Sequence, residues 1–205
     1  MFGVVKIGSA LFANPDDEYI KSLEKFIKEF KGDLAFVSGA GPGAKRILKT
    51  YRKFKFPEGF LDIVGIELTH INAKVLARLI NGTYCKDFAD VEKNSKSLPV
   101  TGGQVAGQST DAVAAGLADY LEADVLILIK DVGGIYSGDP KKNPGARLIH
   151  KITLDELESI LEKNPRAGQY GVLDRRAFEI IKRSKIKTYV IGPDFNFNQG
   201  TEVKH

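Results

Sequence analysis

Short apolar runs that stop at glycine-bearing loops limit this chain's fold more than any other feature. Phe2–Ile7, Leu34–Val37 and Val125–Ile129 are four to six residues long and rich in aliphatic and β-branched side chains. Runs of that length are too short for buried helices and read as strands. The last carries no polar residue at all, the pattern of a strand covered on both faces of a parallel sheet. Between the runs the period changes. Asn14-Pro15-Asp16-Asp17 predicts a helix start, with Asn14 as cap and Pro15 at the first helical position. Leu23, Phe26, Ile27 and Phe30 then keep a 3.6-residue rhythm until Gly32.

The alternation continues to the end of the chain. The spacing predicts helices over 60–80, 111–121, 154–162 and 174–184, with strands in 83–88, 98–101 and 188–191. Strand–helix alternation of this kind specifies an α/β fold, a three-layer α-β-α sandwich around a mostly parallel sheet. No linker and no solenoid-spaced repeat divides the chain, so residues 1–205 are expected to form a single domain.

A net charge of +4 is spread along the chain rather than gathered into a stripe, which argues against a nucleic-acid partner. No apolar stretch approaches the ~20 residues of a membrane span, and the N-terminus enters a strand directly. No membrane association is expected, and a soluble, cytoplasmic protein is. The lone Cys85 excludes an internal disulfide and is expected to be an inert packing residue.

Three glycine-rich segments follow predicted strands: Gly8-Ser9-Ala10, Gly39-Ala40-Gly41-Pro42-Gly43 and Gly102-Gly103-Gln104. In a parallel sheet such loops gather on the carboxyl edge, where ligands bind. Glycine lets backbone N–H groups approach phosphate oxygens, and the following helix adds its positive end. None of the three has P-loop or dinucleotide spacing. Lys6 lies inside the first apolar run. Two readings stand for it: an edge-strand lysine reaching solvent, or a fixed positive charge aimed at transferring phosphates.

Several motifs occur in a familiar order. They are Lys6-Ile7-Gly8-Ser9-Ala10-Leu11, the second glycine loop, Ser109-Thr110-Asp111-Ala112-Val113-Ala114-Ala115, and Gly134-Ile135-Tyr136-Ser137-Gly138-Asp139-Pro140. The chain resembles the amino-acid kinase superfamily, and within it the archaeal-type uridylate kinases. Asp62 through Ala73 and Pro99 through Asp111 carry the narrower likeness, with Val172-Leu173-Asp174 and Gly200-Thr201-Glu202-Val203 in keeping. The resemblance implies ATP-dependent phosphorylation of UMP to UDP, with Mg²⁺ carried by the nucleotide and no protein-held metal. It implies Lys6, Lys45 and Asp174 at the catalytic end. Gly8, Ser9, Ala10, Gly41, Lys45, Lys130, Tyr136 and Asp139 would bind ATP. Ala40, Asp62 and the run Gln104, Val105, Ala106, Gly107, Gln108, Ser109 and Thr110 would bind the acceptor, Asp62 at its ribose and Thr110 at its phosphate. Helix-end placement is the competing reading of Asp62, and plain helix capping that of Ser109 and Thr110. A homo-oligomer, a hexamer built from dimers with the 60–80 helix as a contact, is also implied.

The chain departs from the family pattern in places. Gly39-Ala40-Gly41 stands for a triple glycine, Lys45 for an arginine, His70 for an arginine, and Lys130-Asp131-Val132-Gly133-Gly134 for a Thr-Asn-Val-Asp-Gly-like run. Two other functions stay open: a kinase of glutamate or a small organic phosphate, and a non-catalytic nucleotide-binding relative.

Overall fold

The computed structural model describes residues 1–8, 10–13, 15–140, 142–163 and 173–205. Asn14, expected as a helix cap, and Ser9 and Val172 lie outside the described residues. Eight strands form one sheet: β1 (Phe2–Ile7), β2 (Asp33–Ser38), β3 (Thr83–Tyr84), β4 (Pro99–Thr101), β5 (Val125–Ile129), β6 (Lys151–Thr153), β7 (Lys187–Ile191) and β8 (Thr201–Lys204). Their order is β3-β4-β2-β1-β5-β7-β8-β6, and every neighbouring pair is parallel except β7 with β8.

The helices are α1 (Ala10–Ala13), α2 (Asp17–Glu29), α3 (Gly41–Tyr51), α4 (Glu58–Leu79), α5 (Phe88–Lys93), α6 (Thr110–Tyr120), α7 (Leu154–Lys163) and α8 (Arg175–Ser184). They cover both faces of the sheet, and strand parity decides which residue meets which layer. Val5, Ile7, Phe36 and Ile127 are buried with Leu23 and Phe26 of α2 and Leu76 of α4. Val4, Ala35, Val37 and Leu128 are buried on the other side with Val113 and Leu117 of α6 and Phe178 and Ile181 of α8. This is the expected three-layer α-β-α sandwich.

Several local expectations change. Asp16, not Asn14, caps α2, its carboxylate accepting from the Tyr19 N–H at 2.7 Å. Pro15 therefore precedes the cap, where its missing N–H costs nothing. The strand region expected over 83–88 ends at Tyr84, because Asp87 caps a new helix at Phe88. Strands β6 and β8 were not anticipated. Only Ile152 of β6 is buried, and one apolar residue makes no pattern. Cys85 is buried and its thiol is pushed up to about 11, by burial first and then by the nearby Asp90 charge. That fits the expected packing role. Among the described residues no helix is long and apolar enough to cross a membrane.

Candidate active site

Strand β1 lies between β2 and β5, where the chain's course across the sheet reverses direction. In open parallel sheets the crevice outside such a point binds ligands. Gly8 closes β1 there. A Cβ on Gly8 would meet the Ile129 carbonyl oxygen at 2.6 Å, so only glycine lets the ends of β1 and β5 come this close.

Lys6 sits two residues earlier, on the α6 side of the sheet with Val4. Its ammonium lies 3.2 Å from Asp111 Oδ1 in the first turn of α6, and the Lys130 ammonium at the end of β5 donates to Asp111 Oδ2. The three side chains are only 10%, 12% and 9% exposed for Lys6, Lys130 and Asp111. The Lys6 contact is an ion pair without alignment, since Oδ1 has no directed hydrogen-bond donor. Burial works hardest against ionising Asp111, yet the charges of Lys6 and Lys130 overcome it and hold the carboxyl at about 2. Burial lowers Lys6, with the Asp111 charge opposing and Lys130 reinforcing the shift. Two cations thus share one buried carboxylate. Among these three side chains the ammonium groups outnumber the carboxylate, with the Asp131 charge also acting on Lys6, an arrangement that suits an anionic ligand at the carboxyl edge.

The glycine loops meet at this place. Gly39 follows β2, its N–H donating to the Ile7 carbonyl at 3.0 Å, and a Cβ built on it would lie 3.8 Å from Thr110 Oγ1 and 3.9 Å from the Gly8 carbonyl carbon. Ala40 precedes α3 in a right-handed helical conformation (φ −76°), so its methyl adds no backbone strain. The third loop follows β4, whose end lies beside β2. The first, second and third loops therefore share one edge, as the fold reading required.

The segment 104–110 is held from two sides. Asp62 of α4 accepts the Gly107 N–H at 2.9 Å through Oδ2. Ser109 caps α6 by accepting from Ala112 N–H, and its hydroxyl donates to Asp174, which caps α8 by accepting from Ala177 N–H. The Gln104 amide turns inward, donating to Thr101 Oγ1 at 3.0 Å and to the Lys86 carbonyl at 3.2 Å. Val105, Ala106 and Gly107 are exposed, and Gln108 and Thr110 half-buried.

The remaining expected residues stand apart from the cluster. Lys45 is exposed on α3 and makes no ion pair among the described residues. Tyr136 forms an isolated antiparallel bridge with Leu148, and the backbone carbonyl of Asp139 accepts from Lys142 and Asn143 N–H groups. Gly133 closes a turn onto the Lys130 carbonyl at 3.0 Å with φ +75°, a left-handed conformation that suits glycine. The altered run after β5 is thus a well-formed turn that delivers Lys130 to Asp111.

Sequence reading placed Asp111 only at a helix start and did not foresee its two partners. The signal was present: α6 is buried along Ala112, Val113, Ala114 and Ala115, so an acid at its head must be buried as well. Among the described residues no three His, Cys, Asp or Glu side chains gather to hold a metal.

The chain is similar to known proteins over nearly its whole length. The family model described as "Amino acid kinase family" matches residues 1–192. A uridylate kinase of Pyrococcus abyssi is 40% identical over 195 residues, covering 90% of this chain and 87% of that protein. One from Thermococcus kodakarensis is 38% identical over 200 residues, covering 92% and 89%. The crystal structure of uridylate kinase from Archaeoglobus fulgidus superposes with a TM-score of 0.86 at 32% identity, covering 99% of this chain and all of the other. With the family model matching residues 1–192 and relatives of 38% and 40% identity matching over most of their length, the chain belongs to the amino acid kinase family.

Proposed function

We propose that this protein transfers the γ-phosphoryl group of MgATP to UMP, giving ADP and UDP. One observation carries the site: Lys6 and Lys130 share the single buried carboxylate of Asp111 at the loop-lined edge of the sheet. The surplus charge suits a polyanion. Relatives named uridylate kinase, 38% and 40% identical over most of their length, supply the acceptor.

In the reaction the bond from the γ-phosphorus to the β,γ-bridging oxygen breaks as an oxygen of the UMP phosphate attacks in line. That oxygen is already ionised at neutral pH, because a phosphate monoester's second pKa is about 6, so no side chain need remove a proton. The protein's work is to hold two polyanions together and neutralise their charge. Lys6 and Lys130 face the transferring group. N–H groups of Gly8, Ala10 and Gly41 cradle the ATP phosphates, Ser9 belongs to the same ATP-binding set, and Tyr136 and Asp139 line its nucleoside. Lys45, exposed on a flexible stem, closes on the phosphates when they bind. Ala40 and residues 104–110 hold UMP, with Asp62 at the ribose through the oxygen that Gly107 does not use. Both Asp111 oxygens face ammonium groups, so Mg²⁺ would be held by the phosphates of the nucleotide and would supply charge neutralisation there. Asp174 acts through Ser109 rather than on the phosphates.

Phe60, Ile63, Ile71 and Val75 lie on one face of α4 and are about half exposed, with Phe54 and Phe56 beside them. A second copy of the chain covers this apolar strip in the oligomer we propose, a hexamer built from dimers in the cytoplasm.

The test is ATP-to-ADP conversion with UMP, the other nucleoside monophosphates, glutamate and isopentenyl phosphate. UMP should turn over fastest. A faster rate with glutamate or isopentenyl phosphate, or ATP binding without transfer to any acceptor, overturns the reading.

A further inference from the structure

Helix α4 presents polar side chains to two glycine loops at once. Asn72 Nδ2 donates to the Gly39 carbonyl at 2.9 Å, and His70 Nε2 meets the Gly103 carbonyl at 2.8 Å. A carbonyl only accepts, so Nε2 carries the proton. Nδ1 is then the acceptor for the Tyr84 hydroxyl, 3.2 Å away. Thr69 completes the grip: its Oγ1 accepts the Gly103 N–H at 2.6 Å and its hydroxyl donates to the Ile66 carbonyl at 2.6 Å. Thr69 and His70 are both buried, so these bonds work away from competing water.

Pinning a carbonyl does more than hold a loop. In a trans peptide the C=O and the following N–H point in opposite directions within one rigid plane. Drawing the Gly39 carbonyl toward Asn72 turns the Ala40 N–H away from α4. Drawing the Gly103 carbonyl toward His70 does the same for the Gln104 N–H. Among the described residues neither N–H has an acceptor within the chain. Two unused donors, one on each loop, are thus aimed by neighbouring side chains of one helix.

We infer that His70 and Asn72 are positioning residues: they set the direction of the Ala40 and Gln104 amide donors, which receive the phosphate group of the acceptor. The inference rests on reading this edge as the acceptor site of a phosphoryl transfer. It gives His70 a role that touches no ligand.

The experiment compares His70→Leu, His70→Gln and Asn72→Leu with wild type. Loss of one such hydrogen bond corresponds to roughly a three- to tenfold change in affinity. His70→Leu and Asn72→Leu should each raise the UMP KM by that factor while the ATP KM stays within about twofold. His70→Gln keeps a donor of similar reach and should recover most of the loss, and it also covers the case in which the Leu variant fails to fold. Equal rises in both KM values, an unchanged UMP KM, or no difference between Gln and Leu at position 70 would overturn the inference. An independent arm uses inorganic phosphate as the probe, followed by the amide NMR signals of Ala40 and Gln104. Both should shift on titration in wild type, and each should respond less when its own clamp is removed. If wild type turns over no UMP, the functional reading falls, and the phosphate titration alone decides this inference. Amide signals indifferent to phosphate would then end it too.

Discussion

The Ser109 hydroxyl donates to the Asp174 carboxylate while each of the two residues caps its own helix, α6 and α8. One contact between side chains 65 residues apart therefore joins the end of the acceptor loop to the start of the last helix. It gives Asp174 a structural reason to be there, and it spends the Ser109 hydroxyl before any ligand arrives.

Asp174→Ala should accordingly act on stability first. Loss of a helix N-cap costs about 1 kcal/mol, and thermal melts should register it. Asp174→Asn keeps an acceptor for the Ala177 N–H and should melt close to wild type. Turnover should fall by less than the melting shift would suggest for a catalytic group, and mainly through a raised UMP KM. A thousandfold loss of kcat in the Asn variant at unchanged stability would place Asp174 on the reacting phosphates instead.

Lys6→Ala should lower kcat by roughly 10²–10³, the usual effect of removing one preorganised charge-stabilising donor. Its effect on ATP binding in a titration should be much smaller, because the contact strengthens as charge moves during transfer. Lys6→Arg should rescue poorly: the site beside Gly8 is narrow, and a guanidinium is wide and planar. Near-normal turnover in the Ala variant would return Lys6 to the role of an ordinary strand lysine.

Asp111→Asn removes the carboxylate that both the Lys6 and Lys130 ammonium groups contact. Breaking a buried ion pair by deleting one partner costs about 3–5 kcal/mol, measurable as a lower midpoint in guanidinium unfolding. The same carboxylate makes stability depend on acid. Its ordinary value is 3.8 and its folded value about 2, because the lysine charges outweigh the burial that opposes ionisation. The wild type therefore has this contribution in full above pH ~4 and loses it as pH falls through about 2. The Asn variant should show a shallower acid profile across that window. Parallel profiles would mean that solvent reaches the pair.

Asp62→Asn should separate the two ligands. The substitution keeps an oxygen for the Gly107 N–H but loses the charge offered to a ribose hydroxyl. A hydrogen bond to a charged group is worth about 1.5–3 kcal/mol, or roughly ten- to a hundredfold in affinity. UMP binding should weaken by that order and ATP binding should hardly move. Equal losses in the two titrations would make Asp62 a loop clamp alone.

The sequence by itself determined the layers and the edge of the site. Apolar runs such as Val125–Ile129 can be buried on both faces only in a covered parallel sheet, and amphipathic segments such as Leu23 to Phe30 must supply the cover. Glycines closing successive parallel strands then share an edge by topology alone, which puts Gly8, Gly39 and Gly103 together from the sequence pattern. What local pattern could not decide was which side chains meet. Lys6, Asp111 and Lys130 come from β1, α6 and the end of β5, and their register depends on how a strand and a helix pack across the sheet. His70 and Asn72 gave no sign of reaching Gly103 and Gly39, 33 residues away in each case. Strands β6 and β8 were likewise invisible, since strands of three or four residues carry too few buried side chains to leave a period. Periodicity records burial along one element, whereas the charge cluster and the loop clamps are pairings between elements, and only the tertiary fold sets those.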